Sequence, residues 1–182
     1  MRYSEKLAKR IQSVGSRLCV GIDPRPELSG GVDAVPEFLR RIVGETAPYA
    51  AAFKPNMAYF EAMGLQGIEM LQEMLAEMPD DVPVILDAKR SDIGETQKYY
   101  AKGYFDGWNV DAVTLNPLLG FDSIEPFLRY EGKGVYLLGV TSNTGAGDFL
   151  MQPLEGRYFF ERVQAFCGQA AGLPGSIGLV AG

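Results

Sequence analysis

Histidine is absent from all 182 residues. Its absence removes the commonest general base, the Ser-His and Cys-His nucleophile arrangements, and most transition-metal sites. Cysteine is nearly absent. Cys19 lies in an apolar strand candidate and Cys167 in a helix candidate, far apart in sequence, so both read as buried thiols rather than as a disulfide or a nucleophile. No apolar run approaches the ~18 residues of a membrane-spanning helix, so no membrane partner is expected. The stretch Met1 to Lys6 carries the charges of Arg2, Glu5 and Lys6 and leads into no signal-peptide core, which points to the cytoplasm. Positive charge is in deficit as well. A net charge of -6 and a pI near 4.8 argue against nucleic acid or an acidic membrane as partner. A local cluster of Lys or Arg could still bind a small anion. Any catalysis falls to Lys, Asp, Glu and polar groups.

Hydrophobic residues make up 47% of the chain, enough for one domain with a sizeable core, and no linker divides it. Tyr3, Leu7, Ile11 and Val14 recur at helical spacing and predict a helix over 3–14, stopped by Gly15. An apolar run over 17–23 then reads as a buried strand ending in Asp23, followed by a Pro- and Gly-rich loop over 24–31. Further helices are predicted over 34–46, 65–78, 93–106, 123–130 and 158–170. Further strands are predicted at 50–53, 82–89, 112–115, 135–140 and 176–181. Short apolar strands alternating with helices argue for β/α units and a parallel sheet.

The strands end in polar residues again and again: Asp23, Lys54, Asp87 with Lys89, Asn116, then Ser142 and Asn143. Sites at the C-terminal ends of parallel strands are the rule in α/β barrels and in doubly wound sheets. Contributions from five successive strands favour the barrel, because an open sheet brings only the strands beside its switch point to one site. No Gly-x-Gly-x-x-Gly follows the first strand. The expected fold is therefore an α/β, TIM (β/α)8-type barrel, of which the chain supplies about six β/α units. In residues 82–96, Asp87 and Lys89 stand two apart at a strand end and should project to one side. Together with Lys54 and Asp23 they form a set of alternating sign. Such a set could merely close the end of a barrel. It could also hold an ammonium in place as a general acid or a stabiliser of a developing carbanion.

The stretch Asp87-Ala88-Lys89-Arg90-Ser91-Asp92-Ile93 resembles the D-x-K-x-x-D-I pattern of the orotidine 5'-phosphate decarboxylase family, within the ribulose-phosphate-binding barrels. Gly-Ile-Asp-Pro around Asp23, Phe-Lys-Pro-Asn around Lys54 and Val-Thr-Ser-Asn around Ser142 extend the resemblance from Leu18 to Ala181, closest to the longer bacterial subgroup. It implies decarboxylation of orotidine 5'-monophosphate to UMP, the last step of pyrimidine nucleotide synthesis, with no cofactor and no metal. By resemblance, Lys89 donates the proton to C6 and Asp87 lies against the substrate carboxylate. Lys54 and Asp23 contact the ribose. Asp92, Ile93 and Thr96 reach into the neighbouring subunit of a homodimer, and Ser142, beside Asn143, reads the pyrimidine. Ser91 stands where the subgroup often has Gly. The family's phosphate-gripping residues belong near strands 7 and 8 and have no counterpart before Gly182. Arg157 and Arg162 read as surface helix charges rather than as replacements.

Two alternatives stay open on the sequence. One is a magnesium-dependent sugar-phosphate decarboxylase or synthase of the same superfamily. Those carry an acidic metal ligand after the second strand, where this chain has the cationic Lys54. The other is a non-catalytic truncated barrel.

Overall fold

Period-two alternation in short strands builds two layers. In the computed structural model, which describes residues 1–182, the strands are β1 (Leu18–Ile22), β2 (Ala50–Pro55), β3 (Ile85–Arg90), β4 (Ala112–Leu115) and β5 (Gly134–Val140), then a two-residue hairpin of β6 (Pro153–Leu154) and β7 (Arg157–Tyr158), and finally β8 (Ser176–Ala181). β1 pairs with β2, and β3, β4, β5 and β8 pair in that order, all parallel. Bridges at Phe53–Val84 and Asn56–Asp87, with the Phe53 N–H donating to the Pro83 carbonyl at 2.9 Å, join the two groups. Six parallel strands thus follow one another in chain order, as in a TIM-type α/β barrel. β1 and β8 are not bonded to each other, so the barrel is open along one side.

Helices fill the intervals: α1 (Tyr3–Val14), α2 (Pro26–Ser29), α3 (Val35–Thr46), α4 (Met57–Glu61), α5 (Gly64–Ala76), α6 (Gly94–Ala101), α7 (Glu125–Leu128) and α8 (Phe159–Gln169). Outward-facing strand residues such as Phe53, Leu86, Val113, Leu115 and Leu137 meet these helices in one apolar core. The inward residues Ala52, Ile85 and Ala112 form a second, smaller cluster with Tyr3. α1 covers the N-terminal end of the barrel. Lys6 pairs with Asp111 at 2.6 Å just before β4, and the buried Arg10 donates to the Ala50 carbonyl at 3.0 Å at the start of β2. The Tyr3 and Tyr136 rings meet edge to face, with their hydroxyls 3.1 Å apart.

Three details differ from the sequence expectations. The loop after β1 contains the single turn α2, favoured by Pro26 at its start. α4 precedes the expected helix after β2, with the Asn56 side chain accepting from the Ala58 N–H as its cap. Cys19, expected to be buried, is exposed, because β1 is an edge strand with a neighbour on one side only. Cys167 is half-buried, and both thiols are free. No helix is long and apolar enough to cross a membrane.

Candidate active site

The alternation that puts Ala52, Ile85 and Ala112 inside the barrel puts Lys54, Asp87 and Thr114 inside it two residues later. A polar layer therefore sits directly on an apolar one, at the C-terminal ends of β2, β3 and β4. Asp87 is buried and sits at the centre of the layer. Lys54 Nζ donates to its Oδ2 at 2.8 Å, Lys89 Nζ to its Oδ1 at 2.6 Å, and Thr114 Oγ1 to Oδ1 at 2.8 Å. Burial pushes the Asp87 carboxyl up, but the hydrogen bonds from Lys54, Lys89 and Thr114 outweigh it and hold the group below the usual carboxylate range. The layer keeps two cations around one anion, a local excess of positive charge in an acidic protein.

A bulge aims Lys89. The ladder from β3 to β4 runs Ile85–Ala112, Leu86–Val113 and then Arg90–Leu115, so three residues of β3 lie opposite Thr114 alone. Lys89 takes up a left-handed backbone conformation with φ of 47°, which costs a side-chain-bearing residue about 1 kcal/mol or more. Its N–H has lost a ladder partner and donates instead to Thr114 Oγ1 at 2.9 Å. One hydroxyl thus fixes the backbone of Lys89 and the carboxylate of Asp87 together.

The cleft above this layer has a volume of about 580 Å³. Lys54, Asp87, Lys89 and Thr114 form its floor. Asn116, Thr141, Ser142 and Asn143 form a polar wall, and Leu138, Leu150 and Val180 an apolar one. Of the residues singled out in the sequence, Lys54, Asp87, Lys89, Ser142 and Asn143 share this cleft. Asp23 does not line it. Asp23 stands two residues beyond Gly21, the register partner of Lys54, and is exposed in a neighbouring depression with Arg25, Glu37 and Arg41. Asp92 accepts the N–H of Ile93 at 2.8 Å, Ile93 is 64% exposed and Thr96 is half-buried on α6. All three lie outside the cleft of their own chain. Arg157 is exposed, and Arg162 pairs with Glu155 at 2.9 Å. Thr114 was missed as a site residue. Its signal was one hydroxyl within an apolar strand, in the same alternation phase as Asn116.

Residues 16–181 match the orotidine 5'-phosphate decarboxylase / HUMPS family. The chain belongs to that family. The orotidine 5'-phosphate decarboxylase of Dehalococcoides mccartyi (strain ATCC BAA-2266 / KCTC 15142 / 195) is 46% identical over 156 residues, 85% of this chain and 57% of that protein. The enzyme of the same name from Variovorax paradoxus is 43% identical over 192 residues, which span the whole chain and 70% of that protein. Among solved structures, Leishmania donovani OMP decarboxylase superposes with a TM-score of 0.90 at 39% identity, covering 100% of this chain and 70% of that one. Leishmania donovani UMP synthase gives 0.91 at 39% identity, covering 100% of this chain and 40% of that one. The chain therefore spans between 40% and 70% of the length of these proteins.

Proposed function

We propose that the chain is the catalytic part of an orotidine 5'-monophosphate decarboxylase. The observation that carries this reading is the buried Asp87 carboxylate held between the Lys54 and Lys89 ammonium groups. Loss of carbon dioxide from C6 leaves an electron pair on a ring carbon that no carbonyl sink can delocalise. A preorganised ammonium stabilises that charge as it forms. In the proposed step the bond from C6 to the carboxyl carbon breaks and its electrons remain on C6. Lys89 Nζ then transfers a proton there and regains one from water. Asp87 lies against the departing carboxylate and holds Lys54 and Lys89 in place. No metal or organic cofactor takes part. The excess positive charge of the layer also suits a substrate that carries both a carboxylate and a phosphate.

The remaining assignments follow the family resemblance. By that resemblance Lys54 contacts the ribose from the cleft and Asp23 from the neighbouring depression, and Ser142, beside Asn143 in the polar wall, reads the pyrimidine. Asp92, Ile93 and Thr96 serve the site of a second subunit, which makes the working unit a homodimer of single-domain barrels in the cytoplasm. The exposure of Ile93 and the lack of an ion pair at Asp92 suit an element that awaits a partner. A magnesium-dependent sugar-phosphate enzyme fits less well, because the ammonium groups flanking Asp87 repel a divalent cation.

The test is the fall in orotidine 5'-monophosphate absorbance, with UMP identified by mass, measured with and without a metal chelator. Turnover that persists in chelator supports the proposal. Turnover only of a sugar phosphate with added magnesium contradicts it.

A further inference from the structure

We infer that Arg90, which does not line the cleft, is a positioning residue that holds the β3 bulge and so keeps the Lys89 ammonium on Asp87. The inference rests on the proposed decarboxylation for its kinetic consequence only. Lys89 sits in a left-handed conformation that a Lys rarely adopts, so the contacts on either side of it offset its cost. On the barrel side, Thr114 takes the Lys89 N–H. On the helix side, the next residue is gripped from three directions. Arg90 Nε donates to Tyr104 Oη at 2.6 Å, Nη2 pairs with Glu61 at 2.5 Å, and the guanidinium lies 5.2 Å from the centroid of the Tyr100 ring.

These three partners come from different elements. Glu61 ends α4, Tyr100 lies in α6, and Tyr104 lies in the widened π turn over Lys102–Gly107 that continues α6. Tyr104 is itself buried between Tyr100, on which it stacks, and the tilted ring of Trp108, with centroids 6.0 and 5.5 Å away. The Arg90 side chain is thus anchored to a rigid frame. Its backbone carbonyl accepts the Asn116 N–H at 2.9 Å, where the β3–β4 ladder resumes after the bulge. With the Lys89 N–H held on Thr114 and Arg90 held on both its side chain and its carbonyl, the bend is fixed in the form that brings the Lys89 ammonium onto Asp87. A Lys in place of Arg90 could satisfy one of the three directions, but an ammonium has no planar fork and no stacking face.

The experiment compares the native protein with Arg90→Lys, Tyr104→Phe and Glu61→Gln variants. It reads kcat and KM for orotidine 5'-monophosphate, the Kd of UMP, and the rate at which acetic anhydride acetylates Lys89, followed by peptide mass. UMP lacks the carboxylate, so its binding does not depend on the exact place of the ammonium. Arg90→Lys should lower kcat by about 10- to 100-fold, the scale of a misplacement near 1 Å. Its UMP Kd should stay within about twofold, and Lys89, released from Asp87, should be acetylated several-fold faster. Tyr104→Phe and Glu61→Gln should move kcat and acetylation in the same directions by less.

Native turnover together with unchanged kcat and acetylation in Arg90→Lys overturns this inference and leaves the proposed function standing. If the native protein does not turn the substrate over, the proposed function fails, and the acetylation rates still decide whether Arg90 positions Lys89. Should Arg90→Lys fail to fold, unchanged kcat and acetylation in both Tyr104→Phe and Glu61→Gln overturn the inference.

Discussion

Burial pushes the Asp87 carboxyl up, yet it titrates low because three donors converge on its two oxygens. The folded group titrates below an ordinary Asp, whose value is about 3.9. Its contribution to stability is therefore fully present above that ordinary value and is lost as the pH falls through the depressed one. Asp87→Asn should destabilise the protein near neutral pH by about 1 to 3 kcal/mol, a modest cost because both lysines remain partly solvated. The gap between variant and native protein should shrink as unfolding is measured in urea at progressively lower pH. A gap that widens toward acid would show that the folded carboxyl is raised rather than lowered.

Among the elements, β4 and α1 do opposite jobs at the two ends of the barrel. Thr114→Val keeps the shape of the β4 side chain but leaves the Lys89 N–H without its acceptor and Asp87 without one of its donors. Stability should fall by about 1 to 3 kcal/mol, the scale for orphaned buried polar groups, and turnover should fall with it. At the other end, the Arg10 guanidinium serves the Ala50 and Ala47 carbonyls as well as the exposed Asp81. Arg10→Ala should cost about 2 to 4 kcal/mol, read from urea unfolding, with kcat intact at low temperature because α1 never touches the cleft. The apolar strands and the amphipathic helices were legible in the sequence, since burial writes itself as periods of 2 and 3.6 residues. So were the charges at the ends of β2 and β3. The bulge at Lys89 was not, because it depends on the register between two strands far apart in sequence. Nor was the separation of Asp23 from Lys54. A strand-end position fixes the side of the barrel a residue joins, but the height of that residue depends on how the neighbouring strand is staggered.

In the whole molecule, six strands form most of a barrel whose polar layer is complete across β2, β3 and β4, while β1 and β8 leave one side open. The proposed homodimer makes a sharp prediction. Subunits carrying Lys89→Ala and subunits carrying Asp92→Ala should each be inactive alone. Mixed in equal amounts, they should regain about a quarter of native turnover, because half the dimers are mixed and each mixed dimer holds one intact site. No recovery after subunit exchange, verified by native mass, would place Asp92 outside the partner's site. The central claim concerns the ammonium itself. Its most direct test is kcat for orotidine 5'-monophosphate in Lys89→Ala beside the native protein, with unfolding curves to verify the fold. The predicted result is a loss of turnover by several orders of magnitude with the fold and UMP binding retained. A folded Lys89→Ala variant with near-native kcat would contradict it.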